Sequence, residues 1–377
     1  MPSGHKRVRL LAPFGAGLLL TISRPPQAEW HVDARPAVVL GANENDTTQL
    51  FAVVVGATRL PNGNILVGDH AAMSLHVFAP DGRKVRSFGR KGQGPGEFEY
   101  LARLWRCGDV IIGDDISNGN LQSVFSLDGT FLRGFHFAHP SATGSVYNTV
   151  CNAAGVFAHN SYANKVVAGL SRPPVSFWLT GADSGVRTVI GELPGDERWG
   201  KTVNKRLVGD SPMPLGKHTL FAVSANRVFI GLADRYEILV YDFAGKAVGK
   251  IVKNQPPFPA TRADMDAVRD KDIATHPPSW EDQLRRDYAA IPTPRTLPAY
   301  ASLVVDSEGL LWVQDYPRRL EKTVTWSVFT SAGTSVASVS LPTDLEVYEI
   351  GRDFVLGRYI DPDESVPQVR MYRLRRG

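Results

Sequence analysis

This chain lacks several of the features that identify a function at once. No cluster of lysines or arginines suits nucleic acid, and the net charge of +4 is mild for 377 residues. The longest apolar run, within residues 10–22, holds roughly a dozen apolar residues, whereas a helix needs about 20 to cross a bilayer. We therefore expect neither a nucleic-acid-binding protein nor an integral membrane protein.

Common catalytic signatures are also missing. The chain contains no Gly-x-Ser-x-Gly elbow, no His-Glu-x-x-His motif and, with two cysteines, no Cys-x-x-Cys pair. Glycine is frequent at positions 89–96, but this stretch runs into Glu97 and Phe98 rather than a helix, so we expect no phosphate-binding loop there. These absences favour a binding protein over an enzyme.

One phrase recurs along the chain: a short turn, an apolar run, a polar residue, a second apolar run, and Asp-Gly or a substitute. Asp69 and Asp114 occupy equivalent positions in the first two copies, about 45 residues apart, which is the period of a four-stranded propeller blade. Short runs rich in Val, Ile, Phe and Tyr between Gly, Asp, Asn and Pro predict strands joined by tight turns. Six copies align, with second strands that begin near residues 65, 110, 156, 228, 311 and 354.

The sixth copy ends early, since residues 375–377 stand where the other copies have their Asp-Gly turn. An unpaired blade edge would expose backbone donors and acceptors to aggregation. The apolar segment 30–40 belongs to no copy, so we expect it to supply the missing outer strand. The predicted fold is all-β: a six-bladed β-propeller of four-stranded antiparallel blades, closed by an N-terminal strand, with a partly helical insertion between blades four and five.

The N-terminus has a basic start at residues 5–9 followed by the apolar run, as a secretory signal does. We predict a signal or targeting segment at 1–28, a propeller at 29–377, and an exported protein, periplasmic or extracellular. A cytoplasmic location is the alternative, because the cleavage region is poor. Cys107 and Cys151 occupy similar positions in adjacent blades, which splay outward from the axis, so we predict two separate thiols.

Two connections between predicted blades are too long for plain loops. Residues 191–218 link the third and fourth blades. Residues 256–298, which we call the excursion, link the fourth and fifth. In the excursion, Thr261 and Ser279 each precede a carboxylate by three residues, which is typical of a helix N-cap.

Trp280, Leu284 and Tyr288 then recur at helical spacing on one face of the excursion. This pattern predicts a helical lid over a ligand site, with Trp280 and Tyr288 as its aromatic contacts. The alternative is that the same aromatic stripe packs on the blades as structural cover.

One column of the repeat places oxygen ligands where each second strand ends. Its members are Asp69, Asp114, Asn160, Leu232, Asp315 and Arg358. Carboxylates around one axis could hold Ca²⁺, but Leu232 and Arg358 interrupt the column, and Asp or Asn at a strand end commonly bonds nearby backbone amides. We therefore predict turn-forming residues and no metal or other cofactor, with calcium as the less favoured alternative.

The next column varies without any repeat logic, and binding specificity is usually found in such variation on a repeated scaffold. Turns between second and third strands share one face of a propeller with the connections between blades, and we call this the loop face. Aromatic rings beside guanidinium groups suit sugars, peptides or anions. We predict a ligand site on this face, roofed in part by Trp280 and Tyr288, whose residues are His70, Asp115, Arg235, Tyr316, Arg318, Arg358 and Tyr359.

Residues 88–98, Phe-Gly-Arg-Lys-Gly-Gln-Gly-Pro-Gly-Glu-Phe, resemble the inter-blade signature of NHL-repeat proteins and of a large bacterial family of six-bladed β-propellers. Residues 235–238, 297–300 and 309–313 resemble further blocks of that bacterial family. The resemblance covers roughly residues 30–377 and implies a six-bladed fold and export, with no activity attached. Related six-bladed folds include calcium-dependent lactonases and zinc-dependent amidating lyases, whose ligand motifs have no residue-by-residue match in this chain.

The favoured function is that of an exported, non-enzymatic binding module. It would hold a protein, peptide or glycan on its loop face and act as a monomer. The alternative is a metal-dependent hydrolase, lactonase or lyase with its site in the central channel beneath the excursion. A scaffold within a surface assembly is a third hypothesis.

Overall fold

Antiparallel sheets make up most of the structure. The computed structural model describes residues 30–41, 50–117, 119–141, 145–161, 165–360 and 366–377, and the predicted signal segment at 1–28 lies outside the described residues. Two short strands come first, β1 (His31–Val32) and β2 (Val38–Leu40). The first sheet contains β3 (Val54–Arg59), β4 (Ile65–Asp69), β5 (Ser74–Phe78) and β6 (Lys84–Phe88), and the second contains β7 (Leu101–Cys107), β8 (Val110–Asp115), β9 (Leu121–Ser126) and β10 (Phe131–His136).

The third sheet interleaves with an additional small sheet. The third sheet contains β11 (Val146–Cys151), β12 (Phe157–Ser161), β14 (Pro174–Thr180) and β15 (Val186–Pro194), and the small sheet contains β13 (Gly169–Ser171), β16 (Arg198–Val203) and β17 (Arg206–Pro212). Sequence analysis treats residues 191–218 as a connection without strands of its own, and the small sheet is therefore new information.

Three further sheets complete the chain. The fourth contains β18 (Leu220–Val223), β19 (Val228–Gly231), β20 (Glu237–Tyr241) and β21 (Ala247–Val252); the fifth contains β22 (Tyr300–Val305), β23 (Leu311–Asp315), β24 (Thr323–Phe329) and β25 (Ser335–Pro342); the sixth contains β26 (Leu345–Ile350), β27 (Phe354–Ile360) and β28 (Pro367–Arg375). The predicted all-β class and the four-stranded antiparallel sheets are confirmed.

Burial changes systematically across each sheet. The second strands β4, β12 and β19 are buried along their whole length, whereas the last strands β6 and β21 are mostly exposed. A strand that is covered on both faces is mostly apolar, and this produces the continuous Val, Ile and Leu runs at the start of the second strands. The Asp-Gly hairpins form as predicted, because Gly82 and Gly129 adopt φ of +88° and +85°.

The N-terminal segment pairs with the end of the chain, where sequence analysis expects it. Val38–Leu40 runs antiparallel to β28 with Val38 opposite Met371 and Leu40 opposite Val369, and His31 and Val32 lie opposite Arg375 and Leu374. The sixth sheet thereby gains the outer strand that its own repeat lacks.

Neighbouring sheets contact each other through their innermost strands. β3 contacts β7 of the second sheet and also β26, β27 and β28 of the sixth. β11 contacts β7 and β18, and β22 contacts β18 and β26. The contacts therefore run from each sheet to the next and from the last to the first.

These innermost strands are bonded to each other where they turn into the second strands, and we call this end of the sheets the hub. Glu349 Oε2 accepts hydrogen bonds of 2.7 Å from the Thr58 hydroxyl and from the Arg59 amide. Arg106 donates to the other Glu349 oxygen at 3.2 Å and to Thr58 at 3.2 Å. One carboxylate thus connects the sixth, first and second sheets.

Cys107 and Cys151 form a disulfide at the hub, and the prediction of two separate thiols is wrong. Their Cα atoms are 5.9 Å apart, within the range that a disulfide requires. Both cysteines end the innermost strands of adjacent sheets, which converge at this point. The splaying of blades that the prediction invoked applies to the outer strands. Next to the disulfide, the side-chain amide of Asn152 donates a hydrogen bond to the Ser224 carbonyl oxygen at 2.8 Å. This bond connects the third sheet to the fourth.

Arg376, near the C-terminus, connects the fifth and sixth sheets at the hub. Arg376 donates to Asp306 Oδ2 at 2.9 Å and to Gly351 O at 2.8 Å, and its guanidinium lies 4.6 Å from the ring centroid of Trp30. The Asp306 carboxylate is fully buried and also accepts the Trp312 indole N–H at 2.9 Å. Trp30 and Arg376 are therefore packed together against the same pair of sheets.

The predicted helical excursion is present. It contains α1 (Arg262–Ala274), a 3-10 turn (Pro278–Trp280) and α2 (Glu281–Ala290). Thr261 caps α1 through a complete capping box with Asp264, as predicted. The Ser279 cap is wrong, because Pro277 and Pro278 start a turn that runs directly into α2, and Ser279 is already inside it. Among the described residues, neither helix has the length and apolar character needed to cross a membrane.

Deletion of residues 1–42 should destabilise the protein by several kcal/mol. It removes Val32, Val38 and Leu40, each of which is buried and contributes about 1.5–3 kcal/mol, and it exposes the edge of β28. Chemical denaturation compares this variant with one lacking only residues 1–29, which keeps both strands. Equal unfolding midpoints for the two truncated chains would contradict the pairing.

Two buried histidines make the free energy of unfolding depend on pH in the acidic range. His159 lies between the hydroxyls of Thr149 and Thr180 at 2.9 Å each, and burial lowers its pKa from 6.5 to about 3. Burial likewise lowers the pKa of His76 to about 4. Below about pH 6.5 these histidines are protonated in the unfolded chain but remain neutral in the folded chain. The free energy of unfolding therefore falls as the pH falls towards the folded-state pKa values.

The free energy of unfolding should therefore decline between about pH 6 and pH 4, with each histidine contributing up to about 1.4 kcal/mol per pH unit. His159→Gln should reduce that slope. The matched control is His31→Gln, at a side chain that is 68% exposed. Denaturant titrations across this pH range measure both variants, and an unchanged slope in His159→Gln would refute the assignment.

Candidate functional site

The seven predicted ligand residues lie at the same end of their sheets. Arg358 and Tyr359 lie in the last turn-side residues of β27 and Asp115 ends β8, whereas the others follow their second strands: His70 after β4, Arg235 after β19, and Tyr316 and Arg318 after β23. This is the end opposite the hub, and it is the loop face of the sequence analysis. The structure divides the seven residues into separate groups.

His70 and Asp115 both hold the connection that enters β7. His70 Nδ1 lies 2.9 Å from Leu101 O, and its ring centroid is 4.2 Å from that of Tyr100. Asp115 accepts the amides of Glu99 at 2.6 Å and Tyr100 at 3.1 Å and is 1% exposed. Asp115 is therefore occupied with the backbone and has little surface to offer a ligand.

Arg358 reaches the same region from the sixth sheet. Its guanidinium donates to Val54 O at 3.3 Å and pairs with Glu346 at 2.5 Å. The Tyr348 hydroxyl donates to the same carbonyl at 3.2 Å, and the His70 amide bonds Val53 O at 2.9 Å. The start of β3 thus brings the His70 and Arg358 groups close to each other.

Tyr359 and Arg235 lie apart from that group. Arg370 stacks over the Tyr359 ring with its guanidinium carbon 3.5 Å from the centroid. Arg235 pairs with Glu237 at 3.2 Å and keeps a side chain that is 78% exposed. Tyr359 follows Arg358 directly in β27, so the two side chains lie on opposite faces of the sixth sheet, and Arg235 follows β19 of the fourth sheet.

The excursion packs mainly on the segment that follows the small sheet. One apolar cluster joins these parts to Tyr316 of the fifth sheet, and its members are Met213, Leu215, Met265, Ile291 and Leu297, with Trp199, Phe258, Val268, Tyr288 and Tyr316 at its margin. Lys201 of β16 also pairs with Asp287 of α2 at 2.6 Å. The excursion is therefore fixed in place and covers Tyr316.

The two predicted lid residues make side-chain contacts within the excursion, and Tyr288 also lies at the margin of the apolar cluster. Tyr288 donates to Asp272 at 3.2 Å, and burial, assisted by that carboxylate, raises its pKa to about 12. Trp280 stacks on His276 with ring centroids 5.5 Å apart and remains 54% exposed. Trp280 thus presents one aromatic face to solvent.

An open pocket of about 460 Å³ lies between the excursion and the turn after β23, and we call it the Arg318 pocket. Its lining residues are Phe258, Pro259, Thr261, Asp264, Leu297, Arg318, Arg319 and Glu321. Of the predicted ligand residues, only Arg318 lines it. Sequence analysis identifies Thr261 and the carboxylate three residues after it as a helix cap, but the repeat gives no sign that this cap meets Arg318 and Arg319.

Charges in the Arg318 pocket are held in defined positions. The Arg318 guanidinium lies 5.0 Å from the ring centroid of Phe258 and pairs with Glu321. Arg319 lies 4.0 Å from Asp264 Oδ1, while Asp264 Oδ2 accepts the Thr261 amide at 2.8 Å and hydroxyl at 2.6 Å. Two guanidinium groups and two carboxylates therefore surround an aromatic ring.

Leu320 follows the two arginines in an unusual conformation. Its φ is +72°, in the left-handed region that costs a non-glycine residue free energy, and its side chain is the most exposed large apolar one described, at 85%. The turn therefore holds an apolar side chain in solvent at the margin of a charged pocket.

The strand-end column behaves only partly as predicted. Asp69 accepts the Ala71 amide at 3.0 Å and Asn160 accepts the Asn148 amide at 3.0 Å, so both bond backbone as expected. Asp114 and Asp315 are not turn formers. Asp114 binds Arg103 at 3.2 Å, and Lys253 binds Asp315 at 2.9 Å, because cations from neighbouring strands reach these carboxylates.

Burial raises the pKa of Asp114 even though Arg103 opposes that shift. Within the described ranges, no group of three or more His, Cys, Asp or Glu side chains is placed to hold a metal ion.

Gly195–Thr202 matches the Gly-x-x-x-x-Gly-Lys-Thr pattern of a phosphate-binding loop, which the sequence analysis passed over. The structure gives it another role. Residues 198–203 form β16 with no helix after it, and Lys201 is paired with Asp287. A Cβ at Gly200 would lie 2.0 Å from Val167 O, so this glycine serves a close backbone approach.

Comparisons with known proteins identify the fold and no family. No protein-family model matches the chain, and no curated protein matches its sequence. A member of the DUF4221 family from Bacteroides vulgatus has a similar structure, with a TM-score of 0.51, 10% identity, and coverage of 93% of this chain and 100% of that one. Together with the arrangement of sheets, this likeness shows a β-propeller type of fold.

Two further solved structures are less similar. An assigned exported protein from Bacteroides fragilis has a TM-score of 0.48 and 14% identity over 92% of this chain and 95% of that one. The calcium-binding protein regucalcin from Agrobacterium tumefaciens has a TM-score of 0.43 and 10% identity over 91% of this chain and 95% of that one. Likeness at this level says nothing about the activity of this chain.

Proposed function

We propose that this protein is an exported six-bladed β-propeller, closed by its N-terminal strands, that binds peptide segments through its loop face. The six large sheets are the blades, and β1 and β2 complete the last one. Contacts from each sheet to the next and from the last to the first support the closed ring.

The glycine-rich block at residues 88–98 supports the same architecture, because its residues pack two blades together. Phe98 is fully buried between the first and second sheets. A Cβ at either Gly89 or Gly113 would come within 2.7 Å of the Phe98 ring. The missing side chains of the two glycines therefore leave room for the Phe98 ring between neighbouring blades. This packing accounts for the resemblance of the block to an inter-blade signature.

The disulfide is the main support for the proposal that the protein is exported. A Cys107–Cys151 bond persists in oxidising compartments, whereas cytosolic thiols are kept reduced. The basic and then apolar N-terminal sequence is consistent with that destination.

The binding site is the Arg318 pocket with its exposed Leu320, and the observation that carries it is the turn Arg318–Glu321. A bulky residue held at φ +72° with its side chain in solvent is costly for the free protein. Burial of the leucine side chain by a partner offsets this cost in free energy. Among ligand classes, a peptide best matches an apolar anchor beside fixed charges.

The charges indicate what that peptide carries. Both arginines have about half of their side-chain surface exposed, and a bidentate guanidinium–carboxylate pair is a strong and geometrically selective contact. Glu321 and Asp264 hold the guanidinium groups in position without burying them. An Asp or Glu side chain next to an aliphatic residue therefore fits the pocket.

Binding is measured by fluorescence polarisation with a panel of short labelled peptides that pair Asp or Glu with Leu or Phe. The matching amide peptides serve as reference. Arg318→Ala combined with Arg319→Ala should weaken the acidic peptides at least tenfold, because charge-assisted hydrogen bonds contribute about 1.5–3 kcal/mol. The control is Arg352→Ala, whose side chain is 86% exposed and lies near the hub.

Leu320→Gly separates binding from folding. Glycine accepts a positive φ without that cost, so this variant should keep or raise the free energy of unfolding while it loses affinity. The proposal fails if acidic and amide peptides bind alike, if no peptide of the panel binds, or if Arg352→Ala weakens binding as much as the pocket variants do.

A further inference from the structure

The small sheet ends in a hairpin that stands out from the protein. Its strands β16 and β17 are joined by Asn204 and Lys205, which adopt the two positive φ values that a tight two-residue turn requires. Residues 202–212 are all exposed, although β16 is buried at its other end, at Arg198. The hairpin is therefore fixed at its base and surrounded by solvent at residues 202–208, which we call the hairpin tip.

Apolar side chains are exposed on both faces of the hairpin tip. In the register of the two strands, Thr202 lies opposite Leu207. Because successive side chains of a strand alternate between faces, Val203 points to the face opposite Leu207, and the two are 50% and 46% exposed. Val208 is 57% exposed at the point where the register shifts. A protein partner that packs on one face would leave the apolar side chain of the other face in solvent.

The charged side chains of the hairpin tip are all positive. Lys205 and Arg206 are exposed, and no carboxylate among the described residues forms an ion pair with either of them. Asp210 is the only carboxylate of β16 and β17, and it pairs with Arg198 at the base of the hairpin. The hairpin tip therefore complements an anionic surface.

We propose that the hairpin tip inserts into the headgroup region of an anionic lipid bilayer and holds the protein at the membrane surface. Lipid surrounds an inserted tip, so it covers Val203 and Leu207 at the same time, which a partner on one face does not do. Membrane binding strengthens with buried apolar area and with attraction of cations to anionic headgroups. This contact is separate from the Arg318 pocket, none of whose lining residues belongs to the small sheet.

An environment-sensitive dye on the hairpin tests the proposal with the full chain. Cys107 and Cys151 are joined in a disulfide, so Thr202→Cys provides a single thiol for labelling. The dye should gain fluorescence with vesicles of mixed phosphatidylglycerol and phosphatidylcholine, and not with vesicles of phosphatidylcholine alone. The dye reports on the hairpin itself, whereas sedimentation with vesicles would also report membrane binding by the basic and apolar residues 5–22.

The matched control for the dye is Val248→Cys, at a residue that is 47% exposed on an outer strand of the fourth sheet, and this dye should not respond. In the hairpin-labelled protein, Lys205→Glu combined with Arg206→Glu should raise the lipid concentration for half of the response by about tenfold or more. The control for net charge is Arg83→Glu combined with Lys246→Glu, at exposed turns that lead into β6 and β21.

Val203→Thr combined with Leu207→Gln removes one apolar side chain from each face and should weaken the response as well, while circular dichroism reports an unchanged fold. An unchanged response in this variant would contradict insertion. The proposal is overturned if the hairpin dye responds no more than the Val248→Cys dye, if both kinds of vesicle act alike, or if the charge-reversed hairpin binds as its control does. A response that follows protein concentration without vesicles would show that a second copy covers the hairpin, and would overturn it too.

Discussion

The convergence of the innermost strands at the hub is the constraint on which the rest of the structure depends. Glu349 joins three sheets through Thr58, Arg59 and Arg106, and a disulfide joins the next pair. A carboxylate shielded from solvent is stable only while its donors surround it, so these sheets are held in one relative position.

Much of the fold follows from the sequence because the repeat is a local signal. Period, Asp-Gly turns and apolar runs indicate each strand, and the early end of the sixth copy indicates the pairing partner of residues 30–40. The disulfide was mispredicted because a repeat position does not say how near the axis a residue lies. The Ser279 cap was mispredicted because prolines at 277 and 278 start a turn one step earlier. The small sheet was missed because β16 and β17 lie in the 191–218 connection and β13 lies in the turn between β12 and β14, and the repeat predicts no strand in either place.

The site was only partly predictable for a related reason. The phase of the repeat places His70, Tyr316 and Arg358 on one face, but which loops meet on that face depends on insertions outside the repeat. The excursion brings Thr261 and Asp264 against Arg318 and Arg319, and it packs against Tyr316, which is half-buried. Asp115 looks like a variable loop residue in sequence, yet its carboxylate binds the backbone that enters β7.

Native-state hydrogen exchange tests the proposed closed ring most directly. If the sheets form one ring, the amides of Val38–Leu40 and Val369–Met371 should exchange only through global unfolding, with the same free energy as amides of β12 and β14 in the third sheet. Terminal-sheet amides that exchange through a separate opening, several kcal/mol below the global free energy, would contradict the account.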